Sequence, residues 1–120
     1  MNKDNKSTAY DVGKISCLAL KNEIIRNVVK TTYYSCEVQY EEGLPEILEW
    51  ENTNKLLSKG WSGLKTGITD AAGPCLVSSK TIYDKSKKVN RNYLIVLLSC
   101  KSIENRWEDS ENLLKWISEK

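Results

Sequence analysis

Residues 61–79 read WSGLKTGITDAAGPCLVSS, which is the most informative stretch of the chain. It contains one strand-like run at residues 62–68, a turn rich in small residues, and the start of a second run at residues 74–83. A polar turn then leads to a third run at residues 89–100. Because consecutive strands joined by short links pair antiparallel, the three runs predict an antiparallel meander.

The residues before this stretch predict two helices. Thr8 and Asp11 have the spacing of a capping box, and apolar residues recur behind them with helical spacing, which predicts a helix over residues 8–21. A second, shorter helix is predicted over residues 23–29. We expect its apolar side chains to face inward; they are Ile24, Ile25 and Val28.

Between these helices and the meander, the period of the apolar residues changes to two. Residues 33–40 alternate like a half-buried strand, residues 41–45 form a turn, and residues 47–51 return. A short helical turn is predicted at residues 52–57, closed by a glycine at position 60. The sequence therefore predicts a β-hairpin between the second helix and the meander.

The C-terminal residues 102–118 carry apolar side chains at near-helical spacing and predict an amphipathic helix packed on the sheet. Residues 93–98 are apolar on both faces, as in a strand covered by layers above and below. The predicted fold class is α+β, with an antiparallel sheet backed by helices. The length of 120 residues suits one domain with one modest core.

The composition argues against several classes of protein. A net charge of +2 gives no case for a nucleic-acid partner, and no apolar run approaches the roughly 20 residues of a membrane span. The polar N-terminus has no apolar core of a signal peptide, so we expect none. The chain has no histidine and no CxxC pair, so we expect neither a metal site nor a cofactor.

The four cysteines are widely spaced; they are Cys17, Cys36, Cys75 and Cys100. Each lies in an apolar setting, which favours the interpretation as a small buried apolar residue. A disulfide between Cys75 and Cys100, on neighbouring predicted strands, stays open from the sequence.

The sequence Lys65-Thr66-Gly67 within a strand-like run is the strongest candidate for a binding site. On a strand, Lys65 and Gly67 point to one face and Thr66 to the other. At a sheet edge, outward peptide groups can bind an extended peptide, while the lysine charge and the threonine hydroxyl suit a carboxylate. Gly67 would leave room for the ligand backbone, and the Ile68 amide could donate to a developing oxyanion. The simpler alternative is an ordinary exposed pair followed by a glycine that ends the strand.

Further motifs extend this signal along nearly the whole chain. They are STAYD at residues 7–11, ALKN at 19–22, WENTNKLL at 50–57, GLKTGITDAAG at 63–73, CLVSS at 75–79 and, last, Arg106 with Glu108-Asp109 and Leu113-Leu114. In this order and spacing the chain resembles the serine-type D-alanyl-D-alanine carboxypeptidases, which are low-molecular-mass penicillin-binding proteins.

The resemblance implies a fold shared with class A β-lactamases, in which an antiparallel sheet stands beside a helical region. It also implies a groove where three motifs meet: S-x-x-K, S-x-N and K-T-G. In such enzymes the serine attacks a peptidoglycan stem peptide, an acyl-enzyme forms, D-alanine leaves, and water completes hydrolysis. β-Lactams trap the acyl-enzyme. The family usually acts outside the cytoplasmic membrane, and the sequence leaves the location of this chain unknown.

Carried over by motif, the resemblance implies that Lys65 and Thr66 bind the terminal carboxylate of the stem peptide or of a β-lactam. Gly67 and the backbone amide of Ile68 would line the oxyanion side. Arg106 falls where the family often has an arginine directed at the same carboxylate. A solvated arginine at the start of a helix is the alternative for that residue.

The nucleophile of the family is missing from the sequence. An exact S-x-x-K match occurs at residues 62–65, but it lies within a predicted strand, whereas the lysine must stand one helical turn from the serine. The resemblance therefore implies a single partial domain over residues 1–120, the C-terminal half of a catalytic domain, with residues 1–6 expected to be disordered. Alone, such a chain is expected to show no meaningful turnover.

In the family, strands from the N-terminal half pair beside the strand at residues 89–100, so that strand is expected to be a sheet edge here. Either an N-terminal complementing chain pairs with this edge, or the chain self-associates through it. Three hypotheses follow. The chain is a carboxypeptidase piece that is active only when completed, a non-catalytic pseudoenzyme remnant that binds or scaffolds, or an unrelated α+β interaction domain, which the density of motifs disfavours.

Overall fold

The computed structural model describes residues 4–120, which form three α-helices, five strands and one 3₁₀ turn. The helices are α1 (Ala9–Ala19), α2 (Glu23–Val29) and α3 (Asn105–Ser118), and the strands are β1 (Tyr33–Val38), β2 (Glu46–Glu51), β3 (Leu64–Thr69), β4 (Gly73–Asp84) and β5 (Val89–Leu97). The 3₁₀ turn spans Lys55–Lys59. Of the predicted disordered start, residues 1–3 lie outside the described residues, while residues 5 and 6 have no regular secondary structure.

The predicted α+β class and order of elements are confirmed. β1 and β2 form an antiparallel hairpin of their own, and β3, β4 and β5 form an antiparallel meander with β4 in the middle. α3 packs on β4 and β5, while α1 lies against β5. The core between α3, the meander and the 3₁₀ turn consists of Leu56, Trp61, Leu76, Ile95 and Trp107.

The starts of the first two helices follow local capping signals. The Thr8 hydroxyl accepts a hydrogen bond from the Asp11 amide at 3.2 Å, as the capping pattern predicts. The Asn22 side chain accepts from the amides of Ile24 at 2.9 Å and Ile25 at 3.2 Å. Because Asn22 caps α2, α1 ends at Ala19, two residues before the predicted end.

Two other boundaries differ from the predictions for local reasons. The Ser102 hydroxyl accepts a hydrogen bond from the Asn105 amide at 3.1 Å, so α3 begins at Asn105 rather than at residue 102. β5 ends at Leu97 because Ser99 has a φ of 56°, a left-handed backbone that leaves the extended conformation.

The prediction that the apolar residues of α2 face inward is wrong. Ile24 and Val28 are 73% and 65% exposed, and Ile25 is 37% exposed. Ile15 and Leu18 of α1 are exposed as well. Within residues 4–120, these apolar side chains stay largely uncovered, so the inward packing predicted from their spacing does not form.

The cysteines depart from the prediction in one respect. All four are free thiols, so Cys75 and Cys100 do not form the bridge that the sequence left open. Cys17 is exposed in the open groove between α1 and β5, whereas the other three are half-buried. Burial raises the pKa of the Cys100 thiol, with a further contribution from the nearby Asp109 carboxylate.

β5 forms one edge of the meander, as predicted. A groove of about 650 Å³ runs between α1 and β5 on one face, and a second of about 360 Å³ lies between α3 and β5 on the other. Leu94 and Val96 line both grooves. The unpaired edge is therefore flanked by open, largely apolar surface on each face. Among the helices of residues 4–120, none is long and apolar enough to cross a membrane.

Candidate functional site

The Lys65-Thr66-Gly67 sequence lies in β3, which forms the other edge of the meander. The register places Lys65 opposite Val77, Thr66 opposite Leu76 and Gly67 opposite Cys75. The sequence alone left the position of this strand in the sheet open. Its place at the edge satisfies the condition under which it could bind an extended peptide.

Hydrogen bonds around β4 show which way the peptide groups of β3 point. Ser79 of β4 exchanges bonds of 2.8 Å with Ser62 and Gly63, on the β3 side, whereas the Pro74 carbonyl accepts from the Cys100 amide at 2.8 Å, on the β5 side. The backbone N–H and C=O groups of odd-numbered residues of β4 therefore point toward β3, and those of even-numbered residues point toward β5.

The register of β3 against β4 then shows which peptide groups of β3 point toward β4 and which point away from the sheet. Lys65 and Gly67 pair with odd-numbered residues of β4, so their peptide groups point toward β4. Thr66 and Ile68 pair with even-numbered residues, so their N–H and C=O groups point away from the sheet. The Ile68 amide is thus directed to the open edge, where the predicted oxyanion donor has to be.

The lysine and the threonine lie beside this open edge. Lys65 is exposed, and its ammonium donates a hydrogen bond to the outward Thr66 carbonyl. Thr66 is half-buried, and its hydroxyl oxygen is 2.5 Å from that of Thr53. A positive charge, a hydroxyl and outward amides therefore lie along one short length of edge strand, which is a set of groups suited to a peptide carboxylate.

Gly67 leaves the space beside the strand open. A Cβ atom built on Gly67 would have no heavy atom within 4 Å from the described part of the chain. Gly63, four residues earlier, is the opposite case, since its Cβ would lie 2.7 Å from Cγ2 of Val29. The glycine at position 67 is therefore not required by packing within the described chain.

Arg106 reaches the same place from the start of α3. It is only 7% exposed, so the solvated alternative is wrong. Its Nη1 donates to the carbonyl oxygens of Gly67 at 3.5 Å and Cys75 at 3.3 Å, and its Nε donates to Ile103 at 3.2 Å. These bonds are long, and within residues 4–120 the guanidinium makes no ion pair.

Such a cation is expensive to bury without a carboxylate partner. The guanidinium also stacks over the ring of Trp107, with its central carbon 4.7 Å from the ring centroid, which offsets part of that cost. The arrangement leaves a buried positive charge beside Gly67 that the described residues compensate only in part.

The S-x-x-K match at residues 62–65 has the wrong geometry for a nucleophile and its base. Ser62 is bonded to Ser79 across the sheet, and Lys65 lies in β3. The pair is on extended backbone, so the lysine does not stand one helical turn from the serine. Among residues 4–120, no group of three or more histidine, cysteine or acidic side chains is placed to hold a metal ion.

The structure also places at the site one residue, Thr53, for which sequence analysis predicted no role. Thr53 belongs to the Asn52-Thr53-Asn54 segment, and its hydroxyl meets that of Thr66. A short polar residue between two asparagines is a turn signal, and this could have suggested a side chain presented at a fixed position. The sequence offered nothing to say which strand it would meet.

The open edge of β3 lies away from the grooves found on the described chain. Five grooves or cavities of 320–650 Å³ in the described chain are lined mainly by residues of β4, β5, the helices and the hairpin, and none of these five includes Lys65, Thr66 or Ile68. A ligand at β3 would be held on one side and exposed to solvent on the other.

Known proteins share both the sequence and the fold. The sequence profile of the D-alanyl-D-alanine carboxypeptidase family matches residues 1–95. A curated relative, the D-alanyl-D-alanine carboxypeptidase of Streptomyces sp. (strain K15), is 32% identical over 115 residues, which cover 93% of this chain and 38% of that protein. The chain therefore spans well under half the length of this relative.

Two solved structures extend the comparison. The Streptomyces K15 DD-transpeptidase matches with a TM-score of 0.84 and 33% identity, over 96% of this chain and 43% of that one. Penicillin-binding protein D2 from Listeria monocytogenes, in its cefotaxime-bound form, matches with a TM-score of 0.66 and 27% identity, over 96% and 43%. These matches extend the α+β assignment to the penicillin-binding and β-lactamase-like fold, of which the described residues form a part.

Proposed function

The chain belongs to the D-alanyl-D-alanine carboxypeptidase family, and we propose that it supplies the substrate-carboxylate side of a serine-type carboxypeptidase site. The ligand is the D-alanyl-D-alanine end of a peptidoglycan stem peptide, or a β-lactam that resembles it. The chain lacks the serine and lysine of the S-x-x-K motif, so it binds this end of the peptide without cleaving it. Cleavage then requires a complementing N-terminal part.

The edge of β3 and the two cations, Lys65 and Arg106, bind different parts of the ligand. The Lys65 ammonium and the Thr66 hydroxyl bind the terminal carboxylate, and Arg106 adds a second positive charge from behind the strand. The outward peptide groups of Thr66 and Ile68 pair with the ligand backbone in the manner of an added strand. The empty space at Gly67 admits that backbone.

In the completed site, the chemistry follows the order of an acyl transfer. The serine oxygen bonds to the carbonyl carbon of the penultimate D-alanine and gives its proton to the neighbouring lysine. The Ile68 N–H donates to the oxyanion that develops on that carbonyl oxygen. The peptide bond breaks, D-alanine leaves with the proton, and a water molecule then hydrolyses the ester. This chain contributes the oxyanion donor and the carboxylate contacts.

The burial of Arg106 is the observation that carries this proposal. A guanidinium that is 7% exposed, with long bonds to three carbonyls and no ion pair among the described residues, is poorly compensated inside the fold. Its Nη1 contacts the carbonyl of Gly67, within the K-T-G motif itself. A carboxylate bound at Lys65 and Thr66 supplies the missing negative charge.

The free edge of β5 suits the complementing part. Leu94 and Val96 pair with odd-numbered residues of β4, which face β3, so their own peptide groups point away from the sheet. The grooves on both faces accept apolar side chains from an added strand. We propose that strands of the N-terminal half of the catalytic domain pair here, whether that half belongs to the same polypeptide or to a separate one. Self-association through the same edge is the competing outcome.

Labelling with a fluorescent β-lactam tests whether this chain binds the ligand while the N-terminal half supplies the nucleophile. We expect the 120-residue chain to take no covalent label, because removing the nucleophile from such machinery costs on the order of a million-fold in rate. Adding an N-terminal half that carries S-x-x-K and S-x-N is expected to produce labelling on that half. Lys65→Ala should weaken the non-covalent binding of the β-lactam that precedes labelling. Lys85→Ala, at an exposed turn residue, is the matched control.

Each outcome decides between the hypotheses. Covalent label on the isolated chain would show that it holds a nucleophile of its own. A stable complex of the two halves that binds the D-alanyl-D-alanine end but takes no label would favour the pseudoenzyme remnant. Equal effects of the Lys65 and Lys85 substitutions would remove the carboxylate role from Lys65.

A further inference from the structure

The side chain of Thr53 is held at the edge of β3 by a segment with several hydrogen bonds on each side of it. Before it, the Asn52 side-chain amide donates to the carbonyls of Val29 at 3.2 Å and Thr31 at 2.9 Å. After it, the Asn54 carboxamide oxygen accepts from the Leu56 amide at 3.0 Å, and Asn54 is 3% exposed. The backbone amide of Asn54 also donates to the Asn52 side-chain oxygen at 2.9 Å, so a hydrogen bond spans Thr53.

This segment brings two hydroxyl groups together. The Oγ1 atoms of Thr53 and Thr66 are 2.5 Å apart, and either one could be the donor. Each hydroxyl has one proton to give and can accept from others. Only one of the two protons can lie between the oxygens, so the direction of this bond determines what Thr66 can offer to a ligand.

The chemistry of the ligand selects one direction. An ionised carboxylate only accepts hydrogen bonds. If Thr66 donated to Thr53, its lone pairs would face the carboxylate and repel it. If Thr53 donates to Thr66, the Thr66 proton is left to point at the carboxylate, and the chain of two hydrogen bonds strengthens that contact.

We propose that Thr53 is a positioning residue that donates to the Thr66 hydroxyl and so commits the Thr66 proton to the carboxylate of the ligand. This inference rests on the proposed function, in which Thr66 contacts that carboxylate. Thr53 itself does not touch the ligand. Its effect is on selectivity, because it favours a ligand that ends in a carboxylate over one that ends in a carboxamide, which can also donate.

The test compares two peptides that differ only at this end. Nuclear magnetic resonance titrations of the ¹⁵N-labelled 120-residue chain measure the affinity for diacetyl-L-lysyl-D-alanyl-D-alanine and for its C-terminal amide. The wild-type chain should bind the acid more tightly. Thr53→Val should lose about five-fold in affinity for the acid, the size expected for one hydrogen bond, and little for the amide. Thr53→Ser keeps the donor and should bind both peptides like the wild type.

A threonine remote from the site provides the matched control. The Thr81 hydroxyl of β4 donates to the Asn92 side chain of β5 at 2.7 Å. Thr81→Val replaces a hydroxyl by a methyl group and removes one side-chain hydrogen bond, as Thr53→Val does. It should leave both affinities unchanged.

The outcomes separate this inference from the proposed function. A wild-type chain that binds neither peptide, or both equally, would overturn the proposed function and this inference with it. A wild type that prefers the acid, together with a Thr53→Val variant that keeps the full preference, would overturn the inference alone. Equal loss for both peptides would also overturn it, because it would give Thr53 a merely structural role.

Discussion

The guanidinium of Arg106 lies against the backbone of Gly67, with Nη1 3.5 Å from its carbonyl oxygen. The same nitrogen is 3.3 Å from the carbonyl oxygen of Cys75, which is paired with Gly67 across the sheet. The cation therefore lies where the K-T-G strand meets β4, and two weakly negative carbonyls are its main compensation there. In the proposed function, a bound carboxylate supplies the negative charge that this position lacks.

Replacement of Arg106 by an apolar side chain of similar volume should separate stability from binding. We expect Arg106→Met to raise the free energy of unfolding by about 1 kcal/mol, because it removes a buried charge that the fold compensates poorly. The same variant should lose its preference for carboxylate-terminated peptides. Urea unfolding and peptide titration measure the two effects.

Arg26 offers a matched control, since it is exposed and its guanidinium donates to the carbonyl of Leu20 at 2.7 Å. Arg26→Met should change stability by less than about 0.5 kcal/mol and leave peptide binding intact. A large loss of stability in Arg106→Met would show that the arginine is retained for the fold itself.

Gly67→Ala should leave the fold stable and lower the affinity for the peptide. The added methyl group would meet no atom of the described chain, and alanine reduces the freedom of the unfolded state, so the free energy of unfolding should stay constant or rise by about 0.4–1 kcal/mol. Peptide affinity should fall, because the methyl group would occupy the space given to the ligand backbone.

The neighbouring glycine supplies the contrast. Gly63 has a φ of +125° and a Cβ position 2.7 Å from the Val29 side chain, so Gly63→Ala should destabilise the chain in urea unfolding. If Gly67→Ala binds the acid peptide as tightly as the wild type, the ligand backbone does not pass in front of this glycine.

The sequence predicted those features that depend on neighbours in the chain. The Thr8 cap, the alternation through the hairpin and the short links of the meander are local signals, and the structure confirms the elements they predict. The edge position of β5 was predicted from the resemblance, because that depends on which strands the family has beside it. In both cases the information lies within a few residues or within a shared motif.

Features that depend on distant contacts were beyond the sequence. The period of α2 predicts one apolar face correctly, but period alone does not say whether anything covers that face, and Ile24 is 73% exposed. The burial of Arg106 depends on how α3 lies across the meander, and the meeting of Thr53 with Thr66 joins two segments 13 residues apart. Spacing along the chain carries no signal for either contact.

The free edge of β5 should make the isolated chain self-associate, and a proline at Leu94 should reduce this. The Leu94 amide points away from β4, so Leu94→Pro loses no bond of the existing ladder but can no longer donate to an added strand. Analytical ultracentrifugation over a range of concentrations should show a weaker shift to larger species. The neighbouring change Ile95→Pro removes a ladder bond and should unfold the chain, and identical sedimentation of wild type and Leu94→Pro would rule out pairing through this edge.

The turn between β4 and β5 should be sensitive to acid through Asp84. Its Oδ1 accepts from the Ser86 hydroxyl at 2.7 Å, the Ser86 amide at 3.0 Å and the Lys87 amide at 3.1 Å, and its Oδ2 is 2.9 Å from Nε of Arg91. These contacts, the Ser86 hydroxyl first, lower the pKa of Asp84 below its usual value.

Because the folded state binds this proton more weakly than the unfolded state, the carboxylate stabilises the fold fully above the unfolded pKa of about 3.9. That stabilisation is lost as the pH falls through the lower, folded value. We therefore expect Asp84→Asn to be less stable than the wild type in urea at pH 7, with a difference that shrinks as the pH approaches 3. Asp70→Asn, in the exposed turn between β3 and β4, is the matched control, and an Asp84→Asn deficit that stays the same at pH 7 and pH 3 would mean that the charge of Asp84 is not what stabilises this turn.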